Sequence, residues 1–141
     1  MKVAIVLFPG TNCERDTKYA FDILGCDTQI IWHKEREICA DLVVLAGGFS
    51  HGDYLRTAAI AKFSPVMQAV INHAKNGGYL LGICNGFQML LELGLLPGAM
   101  NKNVNLSFIS KYHHVKVASN SNKFLQFCKK DEILNIPIAH G

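Results

Sequence analysis

Tyr79-Leu80-Leu81-Gly82-Ile83-Cys84-Asn85-Gly86-Phe87-Gln88-Met89-Leu90-Leu91 joins two different patterns with almost nothing between them. Tyr79 to Ile83 is a short apolar run of the kind that suits a buried strand. Gly86 to Leu93 carries apolar residues at helical spacing and stops at Gly94, a good residue to end a helix. The junction, Gly82-Ile83-Cys84-Asn85-Gly86, is a G-x-C-x-G stretch, the thiol counterpart of the nucleophile elbow. Such a turn lifts its central residue clear of the sheet edge. Its backbone is strained, and side chains two positions to either side would collide with neighbouring elements, so glycine stands at both. A helix that begins just beyond a cysteine directs partial positive charge at the sulfur, which favours the reactive anionic form. The Asn85 N–H lies where a helix has no internal acceptor and is free to face a developing oxyanion. The five-residue pattern alone equally suits a small residue in a glycine-rich turn; the strand before it and the helix after it weigh towards a nucleophile.

The same alternation extends outward. Val3 to Phe8 is a continuous apolar run ended by Pro9-Gly10, read as a first buried strand. Thr11 and Asn12 are expected to cap a helix over Cys13 to Leu24, with Tyr19, Ala20, Ile23 and Leu24 as its apolar stripe and Gly25 as its stop. Thr28 to Trp32 and Leu42 to Ala46 read as strands. A helix is expected after Ser64-Pro65, the serine as its cap and the proline at its first position, running to Gly77-Gly78. Apolar strands alternating with helices mean an α/β fold, an open and mainly parallel sheet flanked by helices. Beyond Pro97-Gly98, Leu106 to Ile109, His114 to Ala118 and Ile133 to Ala139 read as short strands, with a polar turn at Ser119 to Asn122. The last residues follow directly on an apolar run, which reads as a single domain, 1–141, lacking its C-terminal portion.

Composition narrows the function. At 141 residues the chain is one domain's length, with half its residues hydrophobic and 18% charged, unlike a disordered tail. A net charge of +3, scattered along the chain, gives no reason to expect nucleic acid or an anionic membrane as a partner. No stretch approaches the roughly 20 apolar residues of a membrane span. The first residues lack the long apolar core of a secretory signal, so a cytoplasmic location is expected. Five cysteines, an odd number with no C-x-x-C pair, read as thiols. There is no G-x-x-x-x-G-K-[ST] loop, so ATP hydrolysis by this chain is not expected.

Further candidates cluster around the elbow. Leu42 to Ala46 opens into Gly47-Gly48 at the edge where α/β sheets bind ligands, and the Gly48 N–H is a candidate second oxyanion donor. Gln88, one helical turn after Cys84, is placed to hydrogen-bond a polar amino-acid substrate. Ser50, His51 and Asp53 suggest a triad by composition, but residues so close in sequence rarely converge in the needed order. His113-His114 has no further ligand at metal spacing. Lys129-Lys130-Asp131-Glu132 reads as a solvated turn.

With these residues in place, Gly82-Ile83-Cys84-Asn85-Gly86-Phe87-Gln88 resembles the class I (triad) glutamine amidotransferases, whose fold is flavodoxin-like. Leu7-Phe8-Pro9-Gly10-Thr11-Asn12-Cys13, Gly47-Gly48-Phe49-Ser50-His51-Gly52-Asp53-Tyr54-Leu55-Arg56, Gly94-Leu95-Leu96-Pro97-Gly98-Ala99-Met100 and Ile136-Pro137-Ile138-Ala139-His140-Gly141 narrow the resemblance. They are similar to the family of small glutaminase subunits of phosphoribosylformylglycinamidine synthase, an enzyme of de novo purine synthesis. The resemblance implies Cys84 as the nucleophile on the amide of glutamine, Gly48 and Asn85 as the oxyanion hole, and Gln88 as a holder of the substrate. It implies no cofactor in this chain. ATP and magnesium are expected on a large synthetase subunit that receives the ammonia and converts formylglycinamide ribonucleotide to the amidine, with a small bridging subunit between the two. The family's catalytic His and Glu belong to a Pro-His-Pro-Glu motif that is not in this sequence, and His140 does not match that histidine. The alternative implied is an inactive remnant that only binds the synthetase. A Cys-elbow protein of the stress or peptidase type would leave Gly47 to Asp53 without a purpose.

Overall fold

The computed structural model describes residues 1–141. Lys2–Leu7 forms strand β1 because Val3, Ala4, Ile5 and Val6 can all be hidden on a strand covered on both faces, and each is fully buried. The chain continues through α1 (Glu14–Ile23), β2 (Asp27–Trp32), β3 (Leu42–Leu45), α2 (Val66–Lys75), β4 (Tyr79–Gly82) and α3 (Asn85–Glu92). The long β3–α2 connection contains a kinked turn at Ser50–Asp53, where His51, Gly52 and Asp53 have positive φ, and a short 3-10 segment at Ala61–Phe63. The four strands form one parallel sheet in the order β2-β1-β3-β4. This is the expected open parallel α/β sheet, in the flavodoxin-like order.

The period-two alternation of strands sorts the core into two layers. Ala4, Val6, Phe8, Val43 and Leu45 pack on one face with Met67 and Val70 of α2 and Met89 and Leu90 of α3. Val3, Ile5, Val44 and Ala46 pack on the other, with Phe21 of α1 against them. Burying one such aliphatic side chain stabilises by about 1.5–3 kcal/mol, so β1 and β3, buried on both sides, are the backbone of the fold. The chain moves from β1 to β2 on one side and returns to β3 on the other. The loops leaving the carboxyl ends of β1 and β3 therefore flank the point where strand order reverses, the usual binding crevice of such sheets.

Helix α1 forms where expected, but its cap and its buried face differ. Its N-cap is Cys13, without a side-chain capping bond. Thr11 instead accepts the Phe8 N–H at 3.0 Å, which closes the turn after β1. The helix presents Thr17 and partly buried Phe21 to the sheet, while Tyr19, Ile23 and Leu24 are exposed. Thr17 can be buried because its hydroxyl donates to the Cys13 carbonyl at 2.6 Å. At α2, Pro65 has helical angles as expected, but the Ser64 hydroxyl pairs with His33 Nδ1 at 3.1 Å and caps nothing.

By its internal contacts the chain divides into two compact units, Met1–Met100 and Asn101–Gly141. The second is a two-stranded antiparallel ribbon of β5 (Ile109–Lys116) and β6 (Ile133–His140). One strand, β5, takes the place of the two read from the sequence before Ala118. Leu106 is not part of it, because its φ of 54° lies in the left-handed region. Asn103 and Asn105 fold that stretch into a turn by bonding to Ser107. The turn at Lys129 to Glu132 is exposed, as expected, and closes through the Lys129 N–H on Glu132 at 2.7 Å. No helix is long and apolar enough to cross a membrane.

The seat of α3 on β3 is the tightest approach in the first unit. A Cβ on Gly86 would run into the Leu45 carbonyl oxygen and lie 2.8 Å from the Leu45 Cβ. Backbone cannot yield there, so Gly86→Ala is expected to lower the unfolding free energy by about 1–3 kcal/mol, read as a lower urea midpoint. An unchanged midpoint would mean that α3 does not rest on Leu45.

Candidate active site

Cys84 joins β4 to α3 at the N-cap position, with φ 51° and ψ −111°. A non-glycine residue in that region carries strain of order 1–3 kcal/mol and persists only where its surroundings enforce it. They do here. The Ile83 N–H donates to the Leu45 carbonyl at 3.0 Å, and the Gly86 N–H donates back to the Ile83 carbonyl at 2.9 Å. A Cβ on Gly82 would stand 2.8 Å from the Gly86 carbonyl and from Leu90. The two glycines of the motif therefore let the turn close, and Cys84 emerges exposed. The Asn85 N–H, at the first position of α3, donates to no protein acceptor.

Gly48 follows β3 and faces Thr11 across an isolated antiparallel bridge. The two flanking bonds, Asn12 N–H to Gly47 (3.2 Å) and Phe49 N–H to Gly10 (2.8 Å), pass it by. Its own N–H is left without an acceptor. Its φ of 140°, and the 2.5 Å that would separate a Cβ from the Asn12 nitrogen, restrict the position to glycine. Gly47 lies beside the elbow: a Cβ there would be 3.4 Å from the Cys84 Cβ and 3.7 Å from Cys13 Sγ. An exposed thiol and two uncommitted backbone donors thus occur on the loops at one sheet edge.

The buried Asn85 side chain joins these loops. Its Oδ1 accepts the Ser50 N–H at 3.1 Å, and its Nδ2 donates to Asp53 Oδ1 at 3.3 Å and Gln88 Oε1 at 3.1 Å. Half-buried Gln88 therefore lies on the elbow side of α3, tethered by its carbonyl oxygen. Burial pushes the Asp53 carboxyl above its ordinary range, while the Ala58 N–H and Asn85 pull it back. Arg56 grips Glu92 of α3 with two bonds of 2.8 and 2.7 Å, a second tie between the β3–α2 connection and the helix.

Ser50, His51 and Asp53 form no triad; no hydrogen bond joins them. Ser50 is buried with its hydroxyl unpaired. The His51 ring packs edge-on to Phe8 and His33, with centroids 6.2 and 5.3 Å away, and its buried Nε2 has no partner. His113 and His114 are exposed on β5, opposite Ile136 and Asn135. Sequence reasoning missed the Asn85 side chain and the proximity of Cys13. The three-residue spacing of Asn85 and Gln88 on one helix was the available signal for the first.

Two measurements follow from these surroundings. Burial raises the Cys13 thiol above its ordinary value, with the neighbouring Asp16, Cys84 and Glu14 adding to this. At neutral pH iodoacetamide is expected to alkylate Cys84 well before Cys13, read by peptide mass; the reverse order would remove Cys84 as the reactive thiol. Burial also lowers His33 below its ordinary 6.5, with His51 and Lys34 adding to it. The unfolded chain then binds the proton more readily, so this contribution to stability is complete above about pH 6.5 and is lost as pH falls below it. Replacing His33 by Asn is expected to flatten that part of the stability profile.

The chain shares sequence and fold with known proteins. It is 70% identical over 141 residues to the phosphoribosylformylglycinamidine synthase subunit PurQ of Campylobacter jejuni, covering all of this chain and 63% of that one. To the subunit of the same name from Sulfurimonas denitrificans it is 61% identical over 142 residues, covering 99% and 63%. The structure of PurLQS from Thermotoga maritima superposes with a TM-score of 0.94 at 38% identity, over 99% of this chain and 66% of that one. The chain thus spans a little under two thirds of the length of these relatives. The profile of the CobB/CobQ-like glutamine amidotransferase domain matches residues 1–141, and the chain belongs to that family.

Proposed function

We propose that this chain carries the nucleophile and substrate-holding part of a glutaminase subunit that supplies ammonia for purine synthesis. The observation that carries the reading is the exposed Cys84 on a strained elbow, beside a loop whose Gly48 N–H, like that of Asn85, has no protein acceptor. Names and likeness of the relatives agree with it.

The chemistry follows from the groups present. Cys84 Sγ attacks the side-chain amide carbon of glutamine, and the carbonyl oxygen takes up negative charge. The N–H groups of Gly48 and Asn85 are the donors proposed for that charge, whose stabilisation usually contributes more than any other effect to acyl transfer. Collapse breaks the C–N bond, and ammonia leaves once its nitrogen has gained a proton. Water then attacks the thioester, releasing glutamate and restoring the thiol. Ammonia passes to a large synthetase subunit, where ATP and magnesium activate formylglycinamide ribonucleotide; a small bridging subunit completes the proposed assembly, in the cytoplasm. No cofactor is assigned to this chain.

The Cys84 side chain has no hydrogen-bond partner, and no histidine of residues 1–141 bonds to it. The unpartnered thiol favours a second reading, a non-catalytic chain that binds the synthetase. A glutamine-like chloroketone decides between them, because it alkylates a positioned thiol with loss of chloride. Under the first reading Cys84 alone gains the adduct, glutamine protects it, and 1–141 releases glutamate at about 10²–10⁴-fold below a full-length relative. Cys84→Ser is expected to abolish that release. No adduct and no Cys84-dependent glutamate, with synthetase binding retained, would establish the second reading instead.

A further inference from the structure

We propose that the Asn85 side chain is a positioning residue: it fixes the Gln88 amide so that its N–H pair, and not its carbonyl, is offered to the substrate. The inference rests on the glutaminase reading and adds to it the polarity of the site.

Which end of the Asn85 amide is which follows from its neighbours. A backbone N–H can only donate, so the atom facing the Ser50 N–H at 3.1 Å must be oxygen. The atom facing Asp53 Oδ1 at 3.3 Å must then be nitrogen, since an ionised carboxylate only accepts. Two independent neighbours therefore fix the amide the same way round. Its nitrogen also lies 3.1 Å from Gln88, and an N–H there requires the Gln88 carbonyl oxygen. The Gln88 oxygen is turned towards Asn85, and its amide nitrogen bonds to no protein acceptor. Asn85 is 1% exposed, so water does not compete for these bonds. The group left to read the substrate is a double donor, and it selects an acceptor oxygen on the amino acid. The same buried amide holds Ser50, two residues beyond Gly48, so the Gly48 loop and Gln88 are set by one side chain.

The test uses the subunit assembled with its synthetase partner. Gln88→Glu keeps an oxygen for Asn85 and removes both donors; KM for glutamine is expected to rise on the order of tenfold, with a smaller change in kcat. Asn85→Asp puts an acceptor where Gln88 and Asp53 need a donor, and KM is expected to rise similarly. In the Asn85→Asp/Gln88→Ala double variant the rise in KM should fall well short of the product of the two single effects, because the Asn85 effect on KM passes mainly through Gln88. Multiplying KM effects, or a kcat loss in Asn85→Asp at unchanged KM, would overturn the proposal. Should Asn85→Asp fail to fold, Gln88→Glu answers alone: an unchanged KM overturns it. If wild type shows no Cys84-dependent hydrolysis, the glutaminase reading fails separately. Calorimetry of glutamine on Cys84→Ser then decides: weaker binding with Gln88→Glu supports the positioning role, and equal or absent binding overturns it.

Discussion

Helix α3 rests on the end of β3 with no side chain between them, and the rest of the site depends on that close approach. Because Gly86 has no Cβ, the helix backbone can sit against the Leu45 carbonyl. The chain leaving β4 must then turn into the helix within two residues, and Cys84 takes up the left-handed φ that the turn demands. The strain is held by packing on both sides of it: Met89 and Leu90 anchor α3 in the core, and β4 is locked beside β3 from Leu42↔Tyr79 to Leu45↔Gly82. The nucleophile's exposure and the free N–H of Asn85 are both consequences of this seat.

A second constraint works at the strand-order reversal. The loops after β1 and β3 are drawn together by the Thr11–Gly48 bridge. That pairing is of the kind that leaves the central residues unbonded to one another, so the Gly48 N–H stays available while its neighbours are fixed. Asn85 completes the frame from the helix side. One buried amide meets a backbone N–H, a carboxylate and a second amide, satisfying its own groups while fixing three others. Burying a polar group is costly unless it is fully bonded, so such a residue rigidifies only because all its partners are present.

The elements buried on both faces were legible in the sequence. Val3 to Val6 and Leu42 to Leu45 have no polar interruption, and such runs have few structural alternatives. The elbow was legible because its glycines answer a local steric demand. The helix over α1 was legible too, but its buried face was not, because spacing identifies an apolar stripe without saying which face the sheet covers. Tyr19, Ile23 and Leu24 have the spacing; Thr17 and Phe21 have the contact. The Asn85 network was hidden for another reason. Its partners Ser50 and Asp53 lie 35 and 32 residues away, and nothing local in Gly-Phe-Ser-His-Gly-Asp reports that a helix amide will reach them. The composition of that stretch suggests a triad while its spacing argues against one, and the burial of Ser50 and the packing of His51 agree with the spacing.

Gly47 shows how an absent side chain shapes the chemistry. It lies between two thiols, with the Cys84 Cβ and Cys13 Sγ both within 4 Å of where its own Cβ would be. A Cβ alone would make ordinary contacts there, but a longer side chain would fill the approach to Cys84. The two thiols are also unequal. Cys13 is held towards its neutral form by burial and by the acidic first turn of α1, Glu14 and Asp16. Helix α3 has no acidic residue in its first turn. A helix starts at each cysteine, and the two sites differ first in the desolvation of the sulfur and then in what the first turn of each helix carries.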